Sequence, residues 1–276
     1  MRYVLVTGAG GGMGRAAVRR LLAEGYGVIA LDRAPCEAIP GVLSLTADVT
    51  DEDSLAAARK TVRTVTDTLF AIVHFAGVYM LDSLAEMESE RFRRAFDVNL
   101  LGAFLVNRTF LPLLGCGGRI LITTSELAPL DPLPFTGIYA VTKGALDKYA
   151  YSLRMELQLS GIEVSVLRAG AVDTGMLAAS TQELSRFCDR TKRYAVSAAR
   201  FRRIVERVEA RRVPPEKIAG RVVRILAARR PRFAYAINRN PLLLLLNALP
   251  KRVQCRVIRL VLRPDVQSAS SPKKSR

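Results

Sequence analysis

The chain has 276 residues, enough for one domain with a substantial core, and a net charge of +17. A single histidine nearly excludes a histidine-based metal centre or a Ser–His triad, so we expect no metal; four widely spaced cysteines suit reduced cytoplasmic thiols rather than disulfides. The charge is uneven: residues 1–175 carry 17 basic and 19 acidic residues, a balance of −2, and residues 176–276 carry 25 and 6, a balance of +19. This asymmetry predicts a near-neutral body and a second, basic surface.

The first elements are an apolar run over Arg2–Val6, a glycine-rich stretch over Thr7–Gly14 and a helical pattern over Arg15–Gly25. Because the run begins at residue 2, we expect no signal peptide and a cytoplasmic location. Strand, glycine turn and helix form the context of a dinucleotide-binding turn, in which glycines let the backbone approach a pyrophosphate at a helix N-terminus. Glycine-rich turns are common, so the stretch by itself leaves an ordinary turn open.

The second predicted strand, Gly27–Asp32, ends in an acid. The carboxylate of Asp32 is placed to accept hydrogen bonds from ribose hydroxyls and to repel a 2′-phosphate, which favours NAD over NADP. Arg33 follows directly, and an arginine there accommodates that phosphate. NADP therefore stays open as a second cofactor.

A serine, a tyrosine and a lysine in the middle of the chain suit proton transfer. Ser125 follows the predicted strand Arg119–Thr124, and Tyr139 and Lys143 share one face of a predicted helix. Tyrosine has a reference pKa near about 10, and a nearby cation lowers it. An exposed Tyr–Lys pair without chemistry is the alternative interpretation.

Strand-like and helix-like segments alternate from Arg2 to Arg168. This order predicts an α/β fold: a doubly wound, Rossmann-type parallel sheet with helices on both faces. We assign residues 1–235 to this domain, residues 236–265 to a basic helical extension and residues 266–276 to a disordered tail.

Five motifs occur in the order typical of one enzyme family. They are Thr7, Gly8, Gly12 and Gly14 (TGxxxGxG), Asp48 with Val49, Asn99, Ser125 with Tyr139 and Lys143 (YxxxK), and Gly170–Thr174 (most of PGxxxT). Over roughly its first 230 residues the chain resembles the short-chain dehydrogenases/reductases.

The resemblance implies roles for these positions. Tyr139 would be the acid/base, Lys143 would lower its pKa and hold the ribose, Ser125 would orient the substrate oxygen, and Asn99 would hold a water that relays protons to Lys143. The positions implied to contact the cofactor are Thr7, Gly8, Gly12, Met13, Gly14, Asp32, Arg33, Asp48, Val49, Ala76, Gly77, Tyr139, Lys143, Gly170, Val172 and Thr174.

Three departures from the family pattern stand out. The family's NNAG is His74-Phe75-Ala76-Gly77, so a hydrogen-bonding asparagine is replaced by phenylalanine. The proline of PGxxxT is Ala169. The interval from Ser125 to Tyr139 is one residue longer than usual, which places Glu126 at the usual serine distance. We assign Ser125 and expect the loop Ala128–Gly137 to absorb the extra residue.

The segment Met176–Arg212 falls where the family places helices that cover the substrate. Its aromatic and aliphatic residues among many arginines predict an apolar inner face and a basic outer face. We therefore expect an apolar substrate pocket, lined in addition by Tyr79, Met80, Leu81 and Phe135.

The segment Pro241–Arg263 combines five consecutive leucines with a basic amphipathic pattern, and neither half is long enough to span a bilayer. Peripheral membrane contact is one interpretation, and packing on the body or on a second subunit is the other. Nucleic acid is a weaker candidate, because no recognised binding module accompanies the arginines.

Together these features predict an NAD(H)-dependent oxidoreductase that interconverts a hydrophobic secondary alcohol and its ketone, of steroid, retinoid or other lipid type, and that forms a homo-oligomer. An NADP-linked carbonyl or acyl-chain reductase and a non-catalytic, membrane-associated cofactor-binding scaffold are the alternatives.

Overall fold

The computed structural model describes residues 1–209 and 211–263, so the predicted tail 266–276 lies outside the described residues. Its seven strands are β1 (Tyr3–Thr7), β2 (Gly27–Asp32), β3 (Val42–Thr46), β4 (Leu69–His74), β5 (Leu114–Ser125), β6 (Glu163–Ala169) and β7 (Ala234–Ile237). They form one sheet in the order β3-β2-β1-β4-β5-β6-β7, and each neighbouring pair is parallel. The predicted boundary after residue 235 falls inside β7.

The α-helices of the described residues are α1 (Gly12–Ala23), α2 (Glu52–Val62), α3 (Ser89–Phe96), α4 (Gly102–Phe110), α5 (Gly137–Leu157), α6 (Gly175–Arg190), α7 (Ala195–Glu209), α8 (Pro215–Ala227), α9 (Pro241–Ala248) and α10 (Lys251–Leu262). Helices α1 and α8 cover one face of the sheet through Leu21 and Val222. Helices α2, α4 and α5 cover the other through Leu55, Phe110 and Leu146. The predicted doubly wound architecture is confirmed.

The central strands read as continuous apolar runs because helices bury both of their faces. In β1, for example, Val4 and Val6 belong to the core under α1 and α8, and Leu5 belongs to the core on the opposite face. Because both faces of β1 are buried, its sequence lacks the alternation of apolar and polar residues that a half-exposed strand shows. This matches the position of β1 near the middle of the sheet.

The carboxyl ends of the central strands meet at one edge of the sheet. Thr7 lies opposite His74, and Ser125 lies opposite Ala169. The chain runs outward from β1 to β3 and then returns to β4 beside β1, so this edge contains the switch point at which open α/β sheets bind ligands.

Candidate active site

The turn between β1 and α1 requires glycine for space as well as for conformation. Gly8 has a φ of +65°, and a Cβ there would lie 2.5 Å from the main-chain nitrogen of Ala76, two residues after β4. A Cβ on Gly14 would lie 2.1 Å from the carbonyl oxygen of Gly8. The backbone thus carries no side chain where the N-terminus of α1 faces the carboxyl edge of the sheet. Phosphate binding requires such close access to the main-chain nitrogens.

A cavity of about 600 Å³ lies beside this turn. Seven of the predicted cofactor residues line it: Gly8, Asp32, Arg33, Asp48, Val49, Ala76 and Gly77. Thr7 is buried at the end of β1, and its Oγ1 accepts a 3.5 Å contact from the Ala76 nitrogen. Gly12 stands against Thr174, since a Cβ on Gly12 would lie 2.6 Å from Thr174 Cγ2. The structure therefore brings the glycine turn, the end of β2 and the segment after β6 to one place.

Asp32 braces the glycine turn. Its Oδ2 accepts a hydrogen bond of 2.9 Å from the main-chain nitrogen of Gly10, and its Oδ1 accepts one of 3.2 Å from that of Ala34. The carboxylate is therefore held at the wall of the cavity by two backbone donors.

Asp48 lines the same cavity. Hydrogen bonds from the main-chain nitrogen and hydroxyl of Thr50 hold the pKa of Asp48 below its usual value, and the guanidinium groups of Arg33 and Arg94 lower it further. Arg94, on α3, also lines the cavity and was not predicted. A surface arginine in a helix carries no local signal for such a role, because only the packing of α3 brings it there.

Tyr139 and Lys143 lie one turn apart on α5, and both are buried. Ser125 is the last residue of β5, and its hydroxyl hydrogen-bonds with the phenol of Tyr139. Ser125 Oγ also accepts a hydrogen bond of 3.2 Å from the Leu127 nitrogen. The predicted Ser–Tyr pair is thus assembled, and the exposed Tyr–Lys alternative does not describe this helix.

Lys143 lies between this pair and the cavity beside the glycine turn. Its Nζ donates to the carbonyl oxygen of Thr123 at 3.3 Å and lies 5.8 Å from the centre of the Tyr139 ring. A Cβ on Gly77, which lines the cavity beside the glycine turn, would stand 3.3 Å from this Nζ. The amine is therefore placed as expected for a group that contacts both the tyrosine and a cofactor, and that role stays a prediction.

Burial dominates the protonation of both groups. It raises the pKa of Tyr139 well above the usual value, the neighbouring Tyr79 adds to the rise, and the hydrogen bond with Ser125 opposes it. It also lowers the pKa of Lys143 to about 8. We expected Lys143 to lower the pKa of Tyr139, but desolvation is the larger effect in this structure. Tyr139 is therefore protonated near neutral pH, the form that donates a proton to a carbonyl oxygen.

Asn99 lies in a π-helical segment, Asp97–Leu101, between α3 and α4. Its Oδ1 accepts from the Val78 nitrogen at 2.8 Å, and its Nδ2 donates to the Val78 carbonyl at 3.0 Å and to Thr142 Oγ1 at 3.1 Å. The side chain thus ties the segment after β4 to α5, one residue from Lys143. The water relay implied by the family resemblance stays a prediction.

The two substitutions in the NNAG motif change the contacts around β4. His74 Nε2 lies 2.8 Å from Asn107 Oδ1, and Asn107 Nδ2 donates to the hydroxyl of Tyr149 at 3.1 Å, which joins β4 to α4 and α5. Burial lowers the pKa of His74 to about 4, so the ring is neutral and structural. The Phe75 ring packs in the core under α1 and α8, so apolar packing replaces a side-chain hydrogen bond.

The other two departures are accommodated locally. In the long interval before Tyr139, Phe135 adopts a φ of +67° and its carbonyl accepts from the Asp82 nitrogen at 3.0 Å. In the turn after Ala169, the Gly170 nitrogen donates to Ile237 at 2.9 Å, and Asn238 Nδ2 donates to the Ala171 carbonyl at 2.8 Å. Contacts with the end of β7 thus hold a turn that lacks the usual proline.

A second cavity, of about 210 Å³, opens at Ser125 and Tyr139. The predicted cofactor residues Met13, Gly170, Val172 and Thr174 line it, and Met176 lines both cavities. Its apolar wall comes largely from Leu127, Leu133, Phe201, Ile204, Val205 and Leu243. The two cavities therefore meet at the start of α6.

Helices α6 and α7 contribute Met176, Phe201 and Ile204 to the wall of this second cavity, and the substrate-covering role expected for Met176–Arg212 stays a prediction. Phe187 of α6 and Phe201 of α7 pack against Phe135, with ring centres 4.6 and 5.4 Å away. Tyr79 lines the cavity, but Met80, Leu81 and Phe135 do not: they are buried in neighbouring apolar clusters. The prediction for these three residues was wrong because Met80 and Leu81 follow Tyr79 in an irregular segment whose side chains point in different directions, and Phe135 packs against α6 and α7.

The residue pattern of the short chain dehydrogenase family matches residues 2–185. The chain belongs to the short-chain dehydrogenase family. It is an oxidoreductase that uses a nicotinamide dinucleotide, NAD or NADP, as its cofactor. Among the residues that the structure covers, no group of three His, Cys, Asp or Glu side chains is arranged to hold a metal ion.

Two curated relatives give the degree of similarity. The 3-ketodihydrosphingosine reductase of Bacteroides thetaiotaomicron is 25% identical over 233 residues, which cover 84% of this chain and 86% of that protein. The NADPH-dependent 1-acyldihydroxyacetone phosphate reductase of Schizosaccharomyces pombe is 30% identical over 179 residues, 63% of this chain and 60% of that protein.

A solved structure shows the same fold. A short chain dehydrogenase family protein from Francisella tularensis superimposes with a TM-score of 0.72 at 22% identity, over 86% of this chain and 97% of that one.

Proposed function

We propose that the chain interconverts a hydrophobic secondary alcohol and its ketone with NAD(H), using Ser125, Tyr139, Lys143 and Asn99. The observation that carries this proposal is the position of the Ser125–Tyr139 pair. It lies at the base of an apolar cavity that meets a larger cavity lined by the predicted cofactor residues. A carbonyl placed against the pair would face the cofactor side of the site.

The protein groups then have distinct tasks. Bound nicotinamide supplies or accepts the hydride. Tyr139 donates its phenol proton to the carbonyl oxygen in reduction and takes it back in oxidation. Ser125 directs a hydrogen bond to the same oxygen, and its second interaction, with the Leu127 nitrogen, uses a lone pair rather than its proton. Lys143 holds α5, the helix that carries Tyr139, against β5 through the carbonyl of Thr123. Asn99 holds the same helix through Thr142.

The cavity wall supports the proposed substrate class. Its lining is largely apolar, which suits an alkyl, acyl or ring system beside the reacting carbon. The two curated relatives are named for 3-ketodihydrosphingosine and 1-acyldihydroxyacetone phosphate, compounds with a long chain next to a polar end. These names favour a lipid with an aliphatic chain over a steroid or retinoid. Initial rates with a panel of lipid alcohols and ketones, each with NAD(H) and NADP(H), test the proposal by the absorbance of reduced nicotinamide.

Asp32 is expected to set the preference for NAD. Unmutated protein should bind NADH more tightly than NADPH, and Asp32→Ala should shift that ratio towards NADPH by about tenfold, because the carboxylate no longer repels a 2′-phosphate beside Arg33. Overall affinity should also fall, since the Gly10 and Ala34 nitrogens lose their acceptor. The chain has no tryptophan, so the fluorescence of the reduced nicotinamide gives both dissociation constants.

The exposed acid Asp67 provides a control, and Asp67→Ala should leave both constants unchanged. Tighter binding of NADPH than of NADH by the unmutated protein would refute the preference. That result would support the NADP-linked alternative, which the position of Arg33 and Arg94 beside Asp48 favours.

A homo-oligomer is also proposed. Helices α4 and α5 expose several large apolar residues on the described surface: Phe104, Val141, Tyr151 and Met155. Such a patch on the outer helices of a folded domain is typical of a subunit interface.

We further propose that the extension contacts membranes peripherally. Helices α9 and α10 pack on the body through Leu243, the buried Gln254 and Leu262, so body packing accounts for one side of them. The opposite side exposes Leu242, Leu245 and Leu260 by 65, 64 and 74%. Arg252, Arg256 and Arg259 of α10 are exposed as well. No helix of the described residues is both long and apolar enough to cross a bilayer.

The intact protein should sediment with anionic vesicles, less with neutral ones and less again at high salt. Each arginine near such a surface contributes about 1 kcal/mol, and salt screens this attraction. The combined variant Leu242→Ser, Leu245→Ser and Leu260→Ser should lose binding and keep its activity, because these side chains are exposed. Leu159→Ser, at another exposed position, is the matched control. Failure of the intact chain to bind anionic vesicles at low salt would rule out the contact.

A further inference from the structure

Glu126 places a carboxylate in an otherwise uncharged cavity. Of the described residues that line the cavity at Tyr139, Glu126 alone carries a charged side chain. It follows Ser125 directly, so the carboxylate enters the cavity beside the residue that orients the substrate oxygen. A charge in apolar surroundings is costly, and burial raises the pKa of Glu126. The mechanism proposed above does not use it.

The two oxygens of Glu126 have different surroundings. Oε2 accepts a hydrogen bond of 2.6 Å from the main-chain nitrogen of Asn240, the residue before α9. Oε1 points to Gly170, where a Cβ would stand 3.2 Å from it. Among the described residues no donor lies on Oε1. The exposed Arg239 is the cation that acts on this carboxylate, and it lowers the pKa less than the hydrogen bond from Asn240 does.

A structural link alone does not require a carboxylate. The contact with Asn240 needs only one acceptor, which a glutamine amide oxygen supplies. The contact with Asn240 therefore uses neither Oε1 nor the negative charge of Glu126. Both lie beside Gly170 in the same cavity as Tyr139. A charge retained there fits a ligand that carries the opposite charge close to the reacting carbon.

We infer that Glu126 is a specificity-determining residue that binds an ammonium group on the carbon next to the reacting alcohol or ketone. The inference rests on the proposed function and narrows its substrate to an amphiphile with an amine beside the reacting carbon and an aliphatic chain along the apolar wall. The ammonium donates to Oε1, while Ser125 and Tyr139 hold the neighbouring oxygen.

The test compares two isosteric alcohols, 1-amino-2-octanol and 3-nonanol, which differ by an ammonium group in place of a methyl group. Unmutated protein with NAD should oxidise the amino alcohol with a kcat/KM about tenfold or more above that of 3-nonanol. Glu126→Gln should remove this preference, mainly through KM, and leave 3-nonanol within about twofold, because the amide still accepts from Asn240. A merely structural role would change both substrates alike.

Asp131→Asn is the matched control, since Asp131 is a carboxylate of the same loop region outside this cavity, paired with Lys251. It should keep the preference. Equal kcat/KM for the two alcohols in the unmutated protein, or a preference unchanged in Glu126→Gln, would overturn the inference while turnover itself upholds the proposed oxidoreductase function.

A binding measurement separates the two failures. If neither alcohol is turned over, the proposed substrate class fails, and calorimetric titration of the same pair into NAD-loaded protein still decides the role of Glu126. Tighter binding of the amino alcohol that is lost in Glu126→Gln supports it, and equal binding refutes it.

Discussion

Tyr139→Phe is expected to lower turnover by about a hundred- to ten-thousandfold, while the dissociation constant of NADH stays within about twofold. The substitution removes only the phenol oxygen. The ring fills the same buried position beside Tyr79, whose ring centre lies 4.6 Å away, so the fold and the cavity beside the glycine turn keep their packing. The loss should appear in kcat, because the proton is transferred after the substrate is bound. Steady-state rates and NADH titration of the same preparation measure both quantities.

Tyr151→Phe is the matched control on the same helix. Tyr151 does not line the cavity, and Phe keeps its apolar ring at the proposed subunit interface, so removal of its hydroxyl should leave turnover unchanged. Turnover of Tyr139→Phe near that of the unmutated protein would contradict the catalytic role. A loss of NADH binding would show instead that Tyr139 supports the site structurally.

Ser125→Ala should cost about a hundred- to a thousandfold in kcat/KM, as is typical for the loss of one preorganised donor to a reacting oxygen. The hydroxyl also hydrogen-bonds with Tyr139 and accepts from Leu127, so its removal frees the phenol from its partner. Glu126→Gln should cost little with an uncharged substrate such as 3-nonanol. Parallel kinetics of the two variants show which of the two residues, Ser125 or Glu126, orients the substrate oxygen.

The reverse outcome, a large loss in Glu126→Gln and a small one in Ser125→Ala with that alcohol, would transfer the role to the position at the usual serine distance. The contacts argue against it: Glu126 bonds to Asn240, whereas Ser125 bonds to Tyr139.

The sequence by itself predicted the fold class, because alternating apolar strands and amphipathic helices permit few other arrangements. It also predicted which residues gather at the carboxyl edge of the sheet. Thr7, Asp32 and Ser125 each end a strand, and parallel strands place their carboxyl ends together. Tyr139 and Lys143 were predictable as a pair, since four residues on a helix fix their spacing.

Other features depended on contacts between distant segments, which no local pattern records. Arg94 lines the same cavity as Asp48 and lowers its pKa only because α3 packs beside that cavity. Met80 and Phe135 do not line the predicted pocket, because the irregular backbone around them points their side chains elsewhere. The upward shift of the Tyr139 pKa was decided by burial, which depends on the whole fold rather than on the neighbouring lysine. Glu126 accepts a hydrogen bond from Asn240, 114 residues further along the chain, so its place in the cavity at Tyr139 was decided by the tertiary structure.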